Sequence, residues 1–235
     1  MTSGTGSTIR GILIDLGDTL AFLDQKGTTQ YKAALLSVLR KHGCRVNLEA
    51  VSLALDDAIE NSMKGELENL SAFWRVFLKN LAVPEKPKQL IDDLERARRP
   101  HAATVFRLYE GAHQVLGTLQ TKYKLALVSN CAIGTSDVVE GLGLEEYFDC
   151  ILLSYQVGVR KPDRRIYLAA LSGLGLEPQN CIFVADEISD LEGARALGLK
   201  TLLVRQGRYT YHEAEDPHFK PDFECAQISD LTRFL

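Results

Sequence analysis

The chain has 235 residues, 46% hydrophobic and 25% charged, with a formal net charge of −4. That length holds one large domain or one domain with a smaller insertion, and the composition is that of a globular protein. The slight acidity excludes the electrostatic footprint of a nucleic-acid or anionic-membrane binder. No apolar run reaches the roughly 20 residues of a membrane span and no secretory core opens the chain, so the cytoplasm is the expected compartment.

In chain order, Met1 to Ser7 is small and polar and reads as a loose tail. Ile12-Leu13-Ile14 then forms an apolar strand that runs into Asp15, with Gly17 and Asp18 turning the chain. From there helical spacing takes over. Thr29 to His42 carries Ala33, Leu35, Leu36 and Leu39 and stops at Gly43. Asn47 caps a second helix with Val51, Leu55 and Ile59. Ser71 opens a third, striped by Phe73, Trp74, Phe77, Leu78 and Leu81, and Pro87 starts a fourth through Leu90, Ile91 and Leu94. The stripe reads as the core of this insertion, with a partner surface as the alternative. Arg96-Ala97-Arg98-Arg99 reads as a solvated helix end. No strand is convincing in this stretch.

From Tyr109 onward strands and helices alternate. Helices are expected at Ala112 to Lys122, Ser136 to Leu142, Arg164 to Leu174 and Ser189 to Leu197. Strands are expected at Leu125 to Ser129, Cys150 to Leu153, Cys181 to Ala185 and Thr201 to Val204. Tyr209 to His212 reads as a loop, with Pro221 to Leu235 packing back on the sheet. This pattern predicts an α/β fold: a doubly wound, Rossmann-like parallel sheet with an inserted helical cap. The expected core is 1–20 plus 108–235, and the cap 21–107. Five scattered cysteines suit reduced thiols, buried at Cys150 and Cys181, better than disulfides or a metal cluster. The five histidines show no ligand spacing.

In open parallel sheets ligands bind beyond the carboxyl ends of the strands. Two acidic strand ends, Asp15 with Asp18 and Asp186 with Asp190, therefore suggest one Mg²⁺ site assembled by the fold. Each residue also has a plainer role. Ser129 and Asn130 suit a helix cap, and Lys161 suits a surface lysine before a turn-setting proline. Ser189 with Glu192 spells a capping box, which would leave Asp190 complementing a helix dipole.

Four elements nevertheless fall in order at strand ends: Asp15-Leu16-Gly17-Asp18-Thr19-Leu20, Val128-Ser129-Asn130, Arg160-Lys161-Pro162 and Ala185-Asp186-Glu187-Ile188-Ser189-Asp190. That set resembles the haloacid dehalogenase superfamily of hydrolases, in the branch with a helical cap after the first strand. The resemblance implies that Asp15 attacks phosphorus and forms an aspartyl-phosphate. Mg²⁺ would be held by Asp15, the Gly17 carbonyl and Asp186, with Asp190 orienting its waters. Thr19, Ser129, Asn130 and Lys161 would bind the phosphate, with Lys161 as an electrostatic clamp.

Phosphatases of this family usually carry a second aspartate where Gly17 stands, with glycine where Asp18 stands. That aspartate protonates the leaving oxygen, so Asp18 is the candidate substitute. The implied activity is Mg²⁺-dependent hydrolysis of a small phosphorylated metabolite by a monomer or homodimer, without nucleic-acid or membrane partners. The alternatives are a metal-independent 2-haloacid dehalogenase, which also uses Asp15 as nucleophile, and a low-activity or non-catalytic binding relative.

Overall fold

A computed structural model describes residues 8–83, 88–207 and 218–235. The Met1–Ser7 tail, Pro87 and the loop Tyr209–His212 lie outside the described residues. The rest pack into two units. One runs through Phe22 and resumes at Leu108–Ser129 and Leu144–Leu235; the other comprises Leu23–Arg107 and Asn130–Gly143. Residues 130–143 thus group with the helical segments, whereas the sequence reading placed them in the α/β core.

The first unit is a parallel sheet built from β1 (Gly11–Ile14), β4 (Lys124–Ser129), β5 (Cys150–Leu153), β6 (Cys181–Ala185), β7 (Lys200–Val204) and β8 (Phe223–Cys225). Its order is β5-β4-β1-β6-β7-β8, every pairing parallel. Ile12, Leu13, Ile14, Leu125, Leu127, Ile182, Phe183 and Val184 are all 0% exposed, as continuous apolar strands covered on both faces require. Helices α5 (Ala112–Leu119), α7 (Ser154–Val157), α8 (Arg164–Leu174) and α9 (Ile188–Arg195) connect the strands. Ile166, Tyr167, Ala170, Leu171 and Leu174 of α8 and Leu191 and Ala194 of α9 bury one face of each helix in the sheet's core. The C-terminal segment adds β8 and a 3-10 helix at Ile228–Arg233, whose Ile228 and Leu231 are buried.

The second unit holds α1 (Gln25–Lys41), α2 (Leu48–Met63), α3 (Leu70–Asn80), α4 (Lys88–Arg98) and α6 (Thr135–Gly141). Phe73, Trp74, Phe77 and Leu78 pack with Leu35, Leu39, Val51, Leu55, Leu90 and Leu94 into one apolar core, so the aromatic stripe is interior. Asn47 caps α2, its side chain accepting from Ala50 N at 2.8 Å. Two helix starts in this unit differ from those expected. Asp24 caps α1 through Gly27 N, so the helix begins at Gln25, four residues before Thr29, because glycine and threonine hide the helical start from propensity. Asn69, not Ser71, caps α3 through Ala72 N at 3.0 Å.

Two other readings are corrected. The insertion is not purely helical: β2 (Ala21–Leu23) and β3 (Phe106–Leu108) pair where the chain leaves the first unit and returns. Three residues are too few for a period of two to register. Arg98 is not solvated either. It is 8% exposed and ion-paired to Glu95 at 2.6 Å and to Asp137 of α6, while Trp74 Nε1 donates to the same Glu95 at 3.1 Å. One arginine of a basic run finds acidic partners, one of them 39 residues away, that helix periodicity does not reveal. All five cysteines are free thiols; Cys181 is buried as expected, whereas Cys150 is only half-buried. Among the described residues no helix is long and apolar enough to cross a membrane.

Candidate active site

The sheet register sets the geometry. Ile14 lies level with Leu127 of β4 and Val184 of β6, so Ser129 and Asp186 each sit one residue beyond Asp15 on the flanking strands. Asp15 N still donates to Val184 O at 3.0 Å, which holds Asp15 at the sheet's edge. Its side chain is nearly buried, at 11% exposed. Oδ1 accepts from Leu16 N at 2.7 Å and meets Lys161 Nζ at 2.8 Å. Both partners engage Oδ1, leaving Oδ2 without a bond among the described residues.

Beyond Asp15 the chain folds back at once. Leu20 N and Ala21 N both donate to Leu16 O at 2.9 Å, and Asp18 N donates to Ala21 O at 2.7 Å. Asp18 sits at φ 50°, a left-handed conformation that glycine adopts most cheaply and aspartate tolerates better than most residues. Its carboxylate lies 3.3 Å from the Tyr109 hydroxyl. Gly17, by contrast, is outside the left-handed region, and a Cβ there would meet nothing within 4 Å. The turn therefore favours glycine at the position holding aspartate and admits a side chain at the position holding glycine. Thr19 is wholly buried; its Oγ1 donates to Asp186 Oδ1 at 2.9 Å and accepts from Asp186 N at 3.1 Å.

Lys161 comes from the loop before α8, and its side chain is 1% exposed. Its ammonium lies 2.8 Å from Asp15 and 2.8 Å from Asp190 Oδ2, with the Phe183 ring centroid 5.3 Å away. This excludes the surface-lysine reading. Asp190 sits in the first turn of α9, where Tyr167 OH donates to its carbonyl at 2.8 Å. The capping box of Ser189 with Glu192 does not form: Glu187 occupies the cap position, its side chain capping no backbone N–H, and Ser189 Oγ donates to Glu187 Oε1 at 3.3 Å. Asp190 is thus a partner of Lys161. Tyr167, Phe183 and Tyr109 carried no signal in the sequence, because each sits in an ordinary apolar pattern.

The charges explain one another. Burial opposes the Lys161 charge, but Asp15 and Asp190 outweigh it and raise the ammonium's pKa above its ordinary value. Burial raises the Asp15 carboxyl, with Lys161 pulling it down and Asp190 adding to the rise. Asp186 is pushed up to about 7, first by burial and then by the charge of Asp15. No cluster of three or more His, Cys, Asp or Glu side chains fit to hold a metal occurs among the described residues. What the site offers is two hard carboxylates, Asp15 and Asp186, whose mutual repulsion a divalent cation relieves, with the Gly17 carbonyl in the adjoining turn. That donor set fits Mg²⁺, which typically keeps several waters and one or two protein carboxylates.

Ser129 closes β4 at 3% exposed, beside Asp15 at the same edge. Asn130, the next residue, belongs to the second unit.

Residues 59–204 match the family model for haloacid dehalogenase-like hydrolases, a span that includes Ser129, Lys161, Asp186 and Asp190 and begins after Asp15. A glyceraldehyde 3-phosphate phosphatase of Methanopyrus kandleri is 24% identical over 229 residues, 95% of each chain. The mouse haloacid dehalogenase-like hydrolase domain-containing protein 3 is 40% identical over 101 residues, 42% of this chain and 40% of the mouse protein. Among solved structures, a 2-haloacid dehalogenase of Pseudomonas syringae pv. tomato shares the fold with a TM-score of 0.73 at 22% identity, over 96% of this chain and 97% of that one. With its parallel sheet and its ordered strand-end motifs, this chain is an enzyme of the haloacid dehalogenase-like hydrolase family.

Proposed function

We propose that this enzyme hydrolyses small-molecule phosphate monoesters, with Asp15 as nucleophile and Mg²⁺ as cofactor. The observation that carries the reading is Asp186, a second carboxylate fixed by Thr19 at the strand end beside Asp15, with its pKa raised to about 7 first by burial and then by the Asp15 charge. A dehalogenase has no use for that second carboxylate, whereas a site that must accept a phosphate dianion beside a carboxylate does. The full-length likeness to a relative named as a phosphatase supports the same reading.

In the first half-reaction Asp15 Oδ2 attacks phosphorus, the bond from phosphorus to the ester oxygen breaks, and the alcohol leaves with a proton from solvent. Lys161 steadies Oδ1 and offsets negative charge at the phosphoryl group, with Ser129 as a further polar group at the same sheet edge. Water then attacks the aspartyl-phosphate at phosphorus, releasing inorganic phosphate and restoring the Asp15 carboxylate. Bound Mg²⁺ would be held by Asp15, Asp186 and the Gly17 carbonyl, and would supply the charge neutralisation that brings dianion and nucleophile together. Gly17 leaves the leaving oxygen without the family's usual general acid, with Asp18 as the candidate substitute, so good leaving groups should react best.

One observation favours a second reading, a metal-independent 2-haloacid dehalogenase: halide departs without a proton, and the turn has no carboxylate at Gly17. Both readings are tested by assaying p-nitrophenyl phosphate with and without Mg²⁺, and 2-chloropropionate without metal, against Asp15→Asn as the blank. Mg²⁺-dependent phosphate release is the expected result. Chloride release with no phosphate release would reverse the assignment.

A further inference from the structure

A chain of bonds reaches the Asp186 carboxylate from a part of the fold with no role in the chemistry above. Gln206 follows β7, and its side chain is bonded at both ends. Nε2 donates to Thr19 O at 2.6 Å, while Oε1 accepts from Ile228 N, at the start of the C-terminal 3-10 helix, at 2.8 Å. Its carbonyl lies 3.3 Å from the Tyr109 hydroxyl, which also meets Asp18. Thr19 in turn holds Asp186 through both its donor and its acceptor.

The next residue closes the arrangement from the other side. A Cβ built on Gly207 would stand 3.0 Å from Asp186 Oδ2, 3.1 Å from Asp18 Cβ and 3.4 Å from Asp18 O. Gly207 lies outside the left-handed region, so glycine is required there for space and not for backbone conformation. The group most exposed to an added methyl is a carboxylate oxygen at the tip of a rotatable side chain. Such a substitution therefore presses on the Asp186 carboxylate and on Asp18 together, each of which must give by a few tenths of an ångström.

We infer that Gln206 and Gly207 are positioning residues for the acidic pair. Gln206 fixes Thr19, and through it Asp186 Oδ1, against the C-terminal segment; Gly207 leaves the space in which Asp186 Oδ2 faces a cation. This rests on the reading of Asp15 and Asp186 as Mg²⁺ ligands. Groups that orient metal ligands at one remove typically change metal affinity by roughly 10–100-fold when lost.

The test is Mg²⁺ titration calorimetry on the full-length protein, Gly207→Ala and Gln206→Glu, with p-nitrophenyl phosphate turnover measured across Mg²⁺ concentrations. Gln206→Glu keeps the acceptor for Ile228 N and loses the donor to Thr19 O, so it serves even where Gly207→Ala folds poorly. We expect Mg²⁺ binding at least about tenfold weaker in both variants, with turnover largely restored by excess Mg²⁺, a restoration that mere loss of structure would not allow. Unchanged affinity in Gln206→Glu and in folded Gly207→Ala overturns the inference and leaves the phosphatase reading standing. No Mg²⁺ binding by the unsubstituted protein overturns both.

Discussion

Lys161 Nζ stands 2.8 Å from Asp15 Oδ1, its side chain 1% exposed, so a buried cation and the candidate nucleophile share one bond. A second carboxylate, Asp190, grips the same ammonium at 2.8 Å. Lys161→Met would leave both acids buried without a counter-charge. Breaking a buried pair in this way costs about 3–5 kcal/mol. The expected outcome is a clear loss of stability in urea unfolding and a fall in kcat on the order of 10²–10³-fold. A variant of unchanged stability would show that the pair carries no net interaction.

The turn after Asp15 is built to take the usual family order. Gly17 has open space at its Cβ, and Asp18 occupies φ 50°, where glycine is the least strained residue. The double variant Gly17→Asp/Asp18→Gly should therefore fold and acquire a general acid. General acid catalysis is worth typically ~10²–10⁴-fold, so turnover of alkyl phosphates should rise far more than that of p-nitrophenyl phosphate. Equal changes for the two substrates would count against this account of Gly17.

Asp186 gives the metal-free protein a defined pH dependence. Its folded pKa, about 7, lies above the ordinary 3.8, because burial and then Asp15 disfavour its charge. The fold therefore holds a proton that the unfolded chain releases at lower pH. That contribution to stability is fully present below the unfolded value and is lost as pH rises through about 7. Urea unfolding of the metal-free protein between pH 4 and pH 8, compared with Asp186→Asn, should show the substitution's effect shifting in favour of the variant as pH rises. Added Mg²⁺ should offset the loss above neutrality, since it binds the ionised form.

The helical unit has its own weak point. Phe77 is 0% exposed and packs edge-on against Trp74, with ring centroids 5.5 Å apart. Phe77→Ala should cost about 3–5 kcal/mol, read as a drop in the urea midpoint. A change under about 1 kcal/mol would mean the interior of this unit collapses around the gap.

Much of this was legible in the sequence for a physical reason. Strands covered on both faces, such as Ile12 to Ile14 and Cys181 to Ala185, read as unbroken apolar runs, and the acids ending them stand out. What stayed hidden depends on contacts between residues distant in the chain. Lys161 was legible as a clamp only through the family resemblance, since its own neighbours suit a surface lysine equally well, and its second partner Asp190 shows only in the fold. Arg98 looked like part of a solvated run until Glu95 and Asp137 closed on it. Gln206 carries no motif at all; it matters only because Thr19 and Ile228 lie at the two ends of its amide. The three-residue strands β2 and β3, and the Asn69 cap chosen over Ser71, show the same limit at the local scale.

The central claim is that Asp15 itself accepts the phosphoryl group. Rapid acid quenching of turnover with a radiolabelled phosphate monoester and Mg²⁺, followed by peptide mapping, tests it most directly. The account predicts label on the peptide carrying Asp15 and none in Asp15→Asn. Phosphate release with no label on that peptide, or Asp15 esterified by 2-chloropropionate in the absence of metal, would contradict it.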